Sequence, residues 1–433
     1  MPDQLIHMST RGLLGRVLLL LPIVLALMGA WFSVRWYVGD TIAEYMNPED
    51  RGVETARLAA SLAPNDPLAH WRLGDIEQNT LPPDQINQAI SEYEQAVRLS
   101  PNDYRFWLAL GRSLEESGDA QKGEKAMRRA VELAPSYSYP RWYLGNLLVR
   151  SGHNAEAFAE LRRASEADPQ LQPQVFNLAL QVYAHNDDEL KKAIGPSAST
   201  RAAFAKYLMD GKKVDDALRM WNDLNSTEKK ENRATGESVI KSLMEARHYR
   251  QVLAIWNDLA PTDGSRGVVG ELLNGGFEQK IDVANTGVFG WQIRSTQQAQ
   301  VAIDPLKHHS GGHSLRILFQ SRSKLDSLNV SQLVVVDSDK QYDLEGFLKT
   351  SQLQSAGTPV VEIVDAADGT VLGASQPAPA GDNDWQPVTI TFKTGAKTEA
   401  IGIRINRAPC GDNPSCPIFG TLWYDDFNLK RRS

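Results

Sequence analysis

Three hydrophobic patterns divide the chain. The first is a stretch of 18 residues without a charge, Val17–Val34, which reads VLLLLPIVLALMGAWFSV. Residues 50 to about 262 then carry helical patterning with an internal repeat. From Glu271 onward, apolar and polar residues alternate in short segments separated by turns about every 10–15 residues, which is typical of strands. The pattern predicts a membrane-length helix, a helical region and an all-β region.

The opening stretch is long enough to cross a bilayer, which takes about 17–25 residues. Arg11 and Arg16 precede it, and Arg35 follows it, after which come Asp40, Glu44, Glu49 and Asp50. Because positive charge stays on the cytoplasmic side, we predict a cytoplasmic tail (1–16), a single-pass inner (plasma) membrane anchor (17–38) and a periplasmic or other extracytoplasmic location for the rest. A cleaved signal peptide is the alternative; its usual apolar core is shorter, and cleavage after Ala30 would put Met28 where a small residue belongs.

The helical region repeats with a period near 34 residues. Its prolines are separated by 37, 34 and 34 residues, and an alanine stands five residues before each: Pro64, Pro101, Pro135 and Pro169 after Ala59, Ala96, Ala130 and Ala164. A Leu-Gly pair recurs at Leu73-Gly74, Leu110-Gly111 and Leu144-Gly145. These features predict two antiparallel helices per repeat, with glycine allowing their close approach and proline ending the second helix.

This pattern resembles the tetratricopeptide repeat family. The segment Trp107-Leu-Ala-Leu-Gly111 matches the signature of that family's first helix, and Ala157 matches the alanine of its second helix. The resemblance implies an all-α solenoid over residues 39–262, with clear repeats at 50–170 and degenerate ones at 171–262. In the degenerate part, Trp221-Asn-Asp-Leu224 recurs as Trp256-Asn-Asp-Leu259.

Arrays of this family bind peptides or partner helices in a concave groove. Aligning the repeats predicts that the groove is lined by six residues: Trp71, Asp75, Leu108, Arg112, Trp142 and Asn146. Tryptophan and arginine are enriched where binding energy concentrates. The alternative, that the two tryptophans only pack against the adjacent helix, stays open.

A short linker (263–270) leads to residues 271–433, which are predicted to form an all-β jelly-roll sandwich. The opening Leu273-Asn-Gly-Gly-Phe-Glu278 and the closing Trp423-Tyr-Asp-Asp-Phe-Asn-Leu429, with Gly290-Trp291, His309–Leu315 and Asp384-Trp385 between them, resemble the galactose-binding-like jelly rolls that include many carbohydrate-binding modules.

That resemblance implies a structural calcium held by Glu278 and Asp425, since hard cations favour oxygen ligands; otherwise no cofactor is expected. Alternatively, Asp425 only accepts backbone hydrogen bonds.

Trp291 is a candidate platform for a bound sugar, while Trp385 and Trp423 lie in framework motifs and are expected in the core. His308, His309 and His313 could suggest a metal site, but they lie in a glycine-rich turn and are expected to be solvated loop residues.

Net charge, the cysteines and the absence of catalytic motifs limit the classes of function that the sequence supports. A net charge of −7 argues against nucleic acid as a partner. The two cysteines, Cys410 and Cys416, predict a loop disulfide and an oxidising compartment, with free thiols as the alternative. No nucleotide-binding, zinc-protease or serine-hydrolase motif is found, so we expect no enzyme.

The favoured hypothesis is a membrane-anchored scaffold. Its repeats would hold a protein partner and its sandwich a glycan or second protein, near polysaccharide or cell-envelope assembly by analogy with this domain pairing. The alternatives are a glycan-binding receptor whose repeats are a spacer, and a divergent carbohydrate-active enzyme.

Overall fold

The computed structural model describes residues 13–46, 52–80, 82, 85–184, 186–260, 266–281, 287–322, 328, 330–411 and 415–432. Its contacts divide the chain into two compact units, residues 1–200 and 201–433. A helical region precedes an antiparallel β-sandwich. The predicted order of helical repeats and sandwich is therefore confirmed.

The described part of the first unit is helical throughout. It comprises α1 (Leu13–Tyr45), α2 (Val53–Leu62), α3 (Pro67–Thr80), α4 (Ile86–Leu99), α5 (Tyr104–Glu116), α6 (Ala120–Leu133), α7 (Ser138–Arg150), α8 (Asn154–Ala167), α9 (Gln172–Tyr183) and α10 (Asp187–Ile194). In the clear repeats α3, α5 and α7 are the first (A) helices, and α4, α6 and α8 are the second (B) helices.

The sequence landmarks of the repeats explain how the A and B helices pack. A Cβ atom added to the glycine of each Leu-Gly pair would lie within 3 Å of a side chain of the B helix: Gly74 against Tyr93, Gly111 against Met127 and Gly145 against Leu161. The predicted role of glycine in close approach is confirmed. Each repeated alanine is fully buried (Ala59, Ala96, Ala130 and Ala164), and each repeated proline follows the end of its helix by two residues.

The second unit begins within α11 (Ala198–Asp210) and continues through α12 (Val214–Asn222), α13 (Ser226–Glu231), α14 (Arg233–Glu245) and α15 (Tyr249–Leu259). The repeated tryptophans of this region have different surroundings. Trp221 is fully buried against Gly236, whereas Trp256 packs edge-on against Phe289 of the β region, with ring centroids 5.5 Å apart.

The strands of the second unit form two antiparallel sheets. They are β1 (Gln292–Ile293), β2 (Ala299–Asp304), β3 (Ser314–Ser321), β4 (Val330–Val335), β5 (Gln341–Gln354), β6 (Pro359–Asp365), β7 (Val371–Ala374), β8 (Gly381–Lys393), β9 (Ala400–Arg407) and β10 (Ile418–Arg431). The sheet orders are β1-β4-β9-β6-β7 and β2-β3-β10-β5-β8. Alternate residues of both sheets, such as Ile317, Leu344 and Ile403, meet in one buried core.

The last helix is fastened directly to the sandwich. The Tyr249 hydroxyl donates to the Ala366 carbonyl at 2.9 Å, and the Arg250 guanidinium donates to the Val336 carbonyl at 2.9 Å and to Asp337 at 2.8 Å. In the predicted linker, residues 263–265 lie outside the described residues. Gly267 exchanges two hydrogen bonds of 2.9 Å with the Asn257 side chain, so this end of the segment is held in place.

Candidate functional site

Each A helix of the clear repeats begins with the same contact. The side chain six residues after the proline hydrogen-bonds to the carbonyl oxygen of that proline: His70 to Pro64 at 3.0 Å, Trp107 to Pro101 at 2.8 Å and Arg141 to Pro135 at 2.9 Å. These bonds fix the turn before each helix and the rotation of the helix that follows it. The next residues along the A helices, Trp71 and Leu108, then face a common pocket.

The A helices of the first unit enclose a pocket of about 380 Å³. Its lining is aromatic and polar: Trp71, Asp75, Gln78, Asn79, Tyr93, Tyr104, Arg105, Leu108, Ala109, Arg112, Tyr139 and Tyr143. Aromatic walls with a few polar groups are the usual composition of a binding site.

One wall of the pocket carries an arginine available for a ligand. The Arg112 guanidinium lies over the Tyr143 ring at 4.5 Å and has no ion-pair partner among the described residues. Stacking on the ring fixes the plane of the guanidinium while its N–H groups can still donate. Arg105, in contrast, is already paired with Asp103 at 2.5 Å.

The opposite charge in the pocket is Asp75. Burial raises the pKa of its carboxyl, although the nearby Arg72 and Arg112 act in the other direction. Its side-chain hydrogen bond among the described residues is a long one, 3.5 Å from the Asn79 amide. Asp75 and Arg112 therefore place two charges of opposite sign in an aromatic pocket without pairing to each other.

A partly buried network of hydrogen bonds forms the floor below these charges. The hydroxyls of Tyr93 and Ser113 donate to the Gln78 oxygen at 3.1 and 2.6 Å, and the Gln78 amide donates to Glu116 at 2.6 Å. Burial, and then the charge of Asp75, raises the pKa of Tyr93. The network links α3, α4 and α5, so the polar floor is fixed before any ligand arrives.

Four of the six residues predicted for the groove line this pocket: Trp71, Asp75, Leu108 and Arg112. Trp142 and Asn146 are not among its lining residues; they bond to each other instead, the Asn146 amide donating to the Trp142 carbonyl at 2.8 Å. The α7 side chains that line the pocket are Tyr139 and Tyr143. Because one residue turns a helix by about 100°, the side chain next to the aligned position takes its place.

The prediction of Trp291 as a sugar platform is wrong. Its side chain is 2% exposed, and its ring packs between Phe277 and Phe427 at centroid distances of 5.2 and 5.8 Å. Its indole N–H donates to the Asn274 carbonyl at 3.1 Å. A ring enclosed in this way cannot offer a face to a ligand.

The other two tryptophans of the sandwich also differ from each other. Trp423 is buried, donates to Asp304 at 2.8 Å and is covered by the Lys307 ammonium at 4.9 Å. Trp385 is half-buried and meets His309 edge-on at 5.8 Å. His309 in turn stacks on Phe347 at 3.6 Å, so one face of its ring is covered, while the residue remains exposed in the loop as expected.

The carboxylates predicted to hold calcium bind the loop between β2 and β3. Glu278 accepts from the backbone N–H groups of Gly312 and His313 at 2.8 and 3.2 Å. Asp425, which is fully buried, accepts from the N–H groups of His309 and Ser310 at 2.7 and 3.3 Å. The Gly312 amide lowers the pKa of Glu278, whereas burial raises that of Asp425.

This arrangement does not fit a cation. The oxygens that calcium would need already face N–H donors, and the described residues contain no cluster of three or more histidine, cysteine or acidic residues able to hold a metal. The neighbouring Asp426 likewise binds the loop, through Ser310 Oγ at 2.7 Å and His309 Nδ1 at 2.7 Å. Three carboxylates thus fasten one loop.

The sulfur atoms of Cys410 and Cys416 are bonded, and their Cα atoms are 5.7 Å apart. That separation is usual for a disulfide. The Arg407 guanidinium donates to Cys416 Sγ at 3.0 Å and to the Cys416 carbonyl at 2.9 Å. The loop is therefore held both by the sulfur pair and by an arginine of β9.

Helix α1 is apolar on all sides over its first part. Its described apolar side chains from Val17 to Val38 are exposed. Among the described residues it is the one helix long and apolar enough to cross a membrane, by length and composition. It is therefore a candidate for the predicted anchor.

Comparison with known proteins identifies the repeats. Residues 84–138 match the family model of the tetratricopeptide repeat. The peroxisomal targeting signal receptor of Saccharomyces cerevisiae is 34% identical over 95 residues, which are 22% of this chain and 14% of the receptor. A second receptor of that name, from Candida glabrata, is 31% identical over 81 residues, 19% of this chain and 14% of that protein. The chain thus spans about a seventh of the length of these relatives.

Two kinds of solved structure are similar to parts of the chain. The crystal structure of YrrB, described as a TPR protein with an unusual peptide-binding site, is 18% identical and covers 44% of this chain and 91% of its own, with a TM-score of 0.32. A structure of CBM4 is 18% identical and covers 37% of this chain and 99% of its own, with a TM-score of 0.28.

Proposed function

We propose that this protein is a non-enzymatic, membrane-anchored scaffold that holds a peptide segment of a protein partner in the pocket of its repeats. The anchor is α1, and the bulk of the chain lies outside the cytoplasm. The exposed apolar surface of α1 supports the anchor, and the bonded cysteines support an oxidising compartment.

The pocket is the observation that carries the proposal. A peptide offers apolar or aromatic side chains, backbone carbonyls and charges, and the pocket matches each of these. Trp71, Leu108 and Tyr143 supply apolar surface. Arg112 supplies donors that form no ion pair within the described part of the chain, and Asp75 supplies an acceptor. Since the A helices are held by their own turns, the pocket is formed in advance and little entropy is lost on binding.

The experiment is affinity capture from detergent-solubilised membranes with the full chain as bait. We expect Trp71→Ala together with Arg112→Ala to lose at least ten-fold in recovery of the partner, since each is the kind of residue whose removal costs about 2 kcal/mol or more at an interface. Trp142→Ala is the matched control, because it removes a tryptophan of the neighbouring A helix that does not line the pocket.

Recovery of the same proteins at the same yield by wild type and the pocket double variant would reject the groove model. Thermal unfolding of wild type and both variants separates loss of binding from loss of folding. A partner lost by Trp142→Ala but retained by the pocket variant would place the binding surface elsewhere on the array.

A second candidate function is glycan binding by the sandwich. It is supported by the half-buried Trp385, whose neighbours His309 and Phe347 extend an aromatic surface on the sheet containing β5 and β8. A glycan array with the full chain in detergent separates the two functions. Glycan binding that is abolished by Trp385→Ala but not by Trp71→Ala favours a receptor whose repeats are a spacer. If the chain binds no glycan on the array, the scaffold function is favoured instead.

A further inference from the structure

Helix α1 does not end where its exposed apolar part ends. Gly39 and Ala43 are buried against the first repeat helices. A Cβ atom on Gly39 would lie 2.7 Å from the Cβ of Ala63 and 2.8 Å from the carbonyl of Ala59. The last two turns of the membrane-length helix are therefore packed against the array.

The contacts of α1 fix which part of the array lies beside its exposed segment. The Arg35 guanidinium donates to the Ser61 carbonyl at the end of α2, so α2 runs back toward the exposed segment. Arg57 of α2 pairs with Glu77 near the end of α3 at 3.1 Å, so α3 runs antiparallel to α2 and therefore parallel to α1. Arg72 Nε of α3 donates to the Ala43 carbonyl at 3.3 Å. Counting back along both helices sets Pro67, the first residue of α3, level with Val38.

The turns before the later A helices continue the same edge. The A helices lie side by side in register, because Trp71 meets Phe106 at 6.1 Å and Gln78 meets Ser113 at 2.6 Å. At their beginnings, the rings of Tyr104 and Tyr137 are 5.0 Å apart. The turns before α3, α5 and α7, at residues 63–66, 100–103 and 134–137, thus form one edge, which we term the proximal rim.

The surface of the proximal rim is suited to lipid head groups. Tyr137 and Tyr139 are 56% and 58% exposed there, and tyrosine is enriched at the interface between bilayer and water. The charged side chains nearby are already paired, Arg105 with Asp103 and Arg141 with Glu160. Asp66, in the first of these turns, accepts from the N–H groups of Leu68 and Ala69 at 3.1 and 3.2 Å. Contact with a bilayer would therefore leave each of these charged side chains with the hydrogen-bond partners it already has.

We propose that the proximal rim lies against the bilayer surface, so that the pocket takes a juxtamembrane segment of a membrane-embedded partner. This inference rests on the proposed anchor. Trp71 and Asp75 lie four and eight residues beyond the start of α3, or about 6 and 12 Å at 1.5 Å per residue. A chain emerging from the bilayer reaches this height within a few residues.

The test uses the full chain in phosphatidylcholine vesicles that contain a head-group spin-labelled lipid. In a background of Cys410→Ser and Cys416→Ser, a fluorophore is attached at Ser136→Cys on the rim or at Ser151→Cys in the turn after α7. Both serines are exposed, and α7 separates them by about 20 Å. We expect the label at residue 136 to be quenched several-fold more than the label at residue 151.

Equal quenching at the two positions, in chains that float with the vesicles, overturns the rim contact and leaves the anchor intact. Failure of the chains to float overturns the anchor itself. Replacing Tyr137 and Tyr139 together by Ser is the second variant: we expect lower quenching at residue 136 and no change at residue 151. Unchanged quenching at both positions would exclude a role for the tyrosines.

Discussion

At the scale of single residues, three different side chains make the same contact in successive repeats. His70, Trp107 and Arg141 each reach the carbonyl of the proline six residues earlier. What the three share is a nitrogen donor at the end of a long side chain. The contact satisfies a carbonyl in a turn that has no helical partner for it, and it explains why the following groove residues are held in register.

His70 gives this contact a pH dependence. Its other ring nitrogen faces Glu92 at 2.6 Å, so both nitrogens face acceptors and the ring is best satisfied when charged. Burial opposes the charge, but the hydrogen bonds to Glu92 and Pro64 outweigh it and raise the pKa of His70. Because the pKa of His70 is higher in the folded than in the unfolded chain, protonation stabilises the fold. The stabilisation is complete below the unfolded-state pKa of about 6.5, and it is lost as the pH rises through the folded-state pKa.

We therefore expect His70→Gln to lower the free energy of unfolding by about 1–2 kcal/mol near pH 6, and by clearly less near pH 9. Urea unfolding of the full chain in detergent at both pH values measures the difference. His153→Gln is the control, since His153 is exposed and makes no capping bond with its side chain. A loss for His70→Gln that is the same at both pH values would contradict a charged ring.

Residue positions were predictable only where a repeat or a motif fixed them. Trp71, Asp75, Leu108 and Arg112 could be aligned through the Leu-Gly pairs, and they line one pocket. Tyr139 and Tyr143 could not, because the side chain that enters the groove depends on the rotation of α7. Trp291 failed for another reason: its residue type made it a candidate platform, but the sequence does not show that Phe277 and Phe427 enclose it.

At the scale of elements, the sequence was most informative where helices repeat. Regular spacing of proline, alanine and glycine predicted the A and B helices because each landmark has one steric role. The degenerate pair of tryptophans illustrates the limit. Trp221 and Trp256 have the same neighbours in sequence, but α14 covers Trp221 while the sandwich covers the face of α15 that bears Trp256. Which element covers a helix is a property of the tertiary fold.

The joint between α15 and the sandwich leads to a prediction for both elements. Tyr249 is 6% exposed and its hydroxyl bonds the Ala366 carbonyl. We expect Tyr249→Phe to lose about 1 kcal/mol, and hydrogen exchange to show lower protection in α15 and in β6 together. Tyr139→Phe, at an exposed position, is the control. Faster exchange in α15 alone would mean that the helix and the sandwich open independently.

The loop between β2 and β3 provides a test of metal binding. Because Glu278 and Asp425 are already bonded to backbone N–H groups, we expect neither excess calcium nor a chelator to shift the melting temperature of the sandwich. A bound metal would raise stability by about 2.7 kcal/mol at a hundred times its dissociation constant. A shift of several degrees would therefore show that the loop rearranges around a cation. Asp425→Asn, with and without calcium, would then identify the ligand.

At the scale of the whole molecule, compartment and topology depend on features far apart in the sequence. The exposed apolar segment of α1 and the Cys410–Cys416 pair lie at opposite ends of the chain. Both predict an extracytoplasmic location. The distribution of charge around α1 predicts it for the chain that follows the helix, and the disulfide predicts it for the sandwich, because a disulfide requires an oxidising compartment. A measurement on the cysteines therefore also tests the orientation of the anchor.

We expect both thiols of the full chain, isolated from membranes under acid quench, to react with an alkylating reagent only after reduction. The mass shift of the peptide containing residues 410–416 reports this directly. Closing so short a loop is worth about 2 kcal/mol, so Cys410→Ser should destabilise the sandwich by a similar amount while the pocket at Arg112 stays intact. Because Arg407 also binds this loop, the variant should still fold. Alkylation of both cysteines before reduction would place the sandwich in a reducing compartment and reverse the predicted topology.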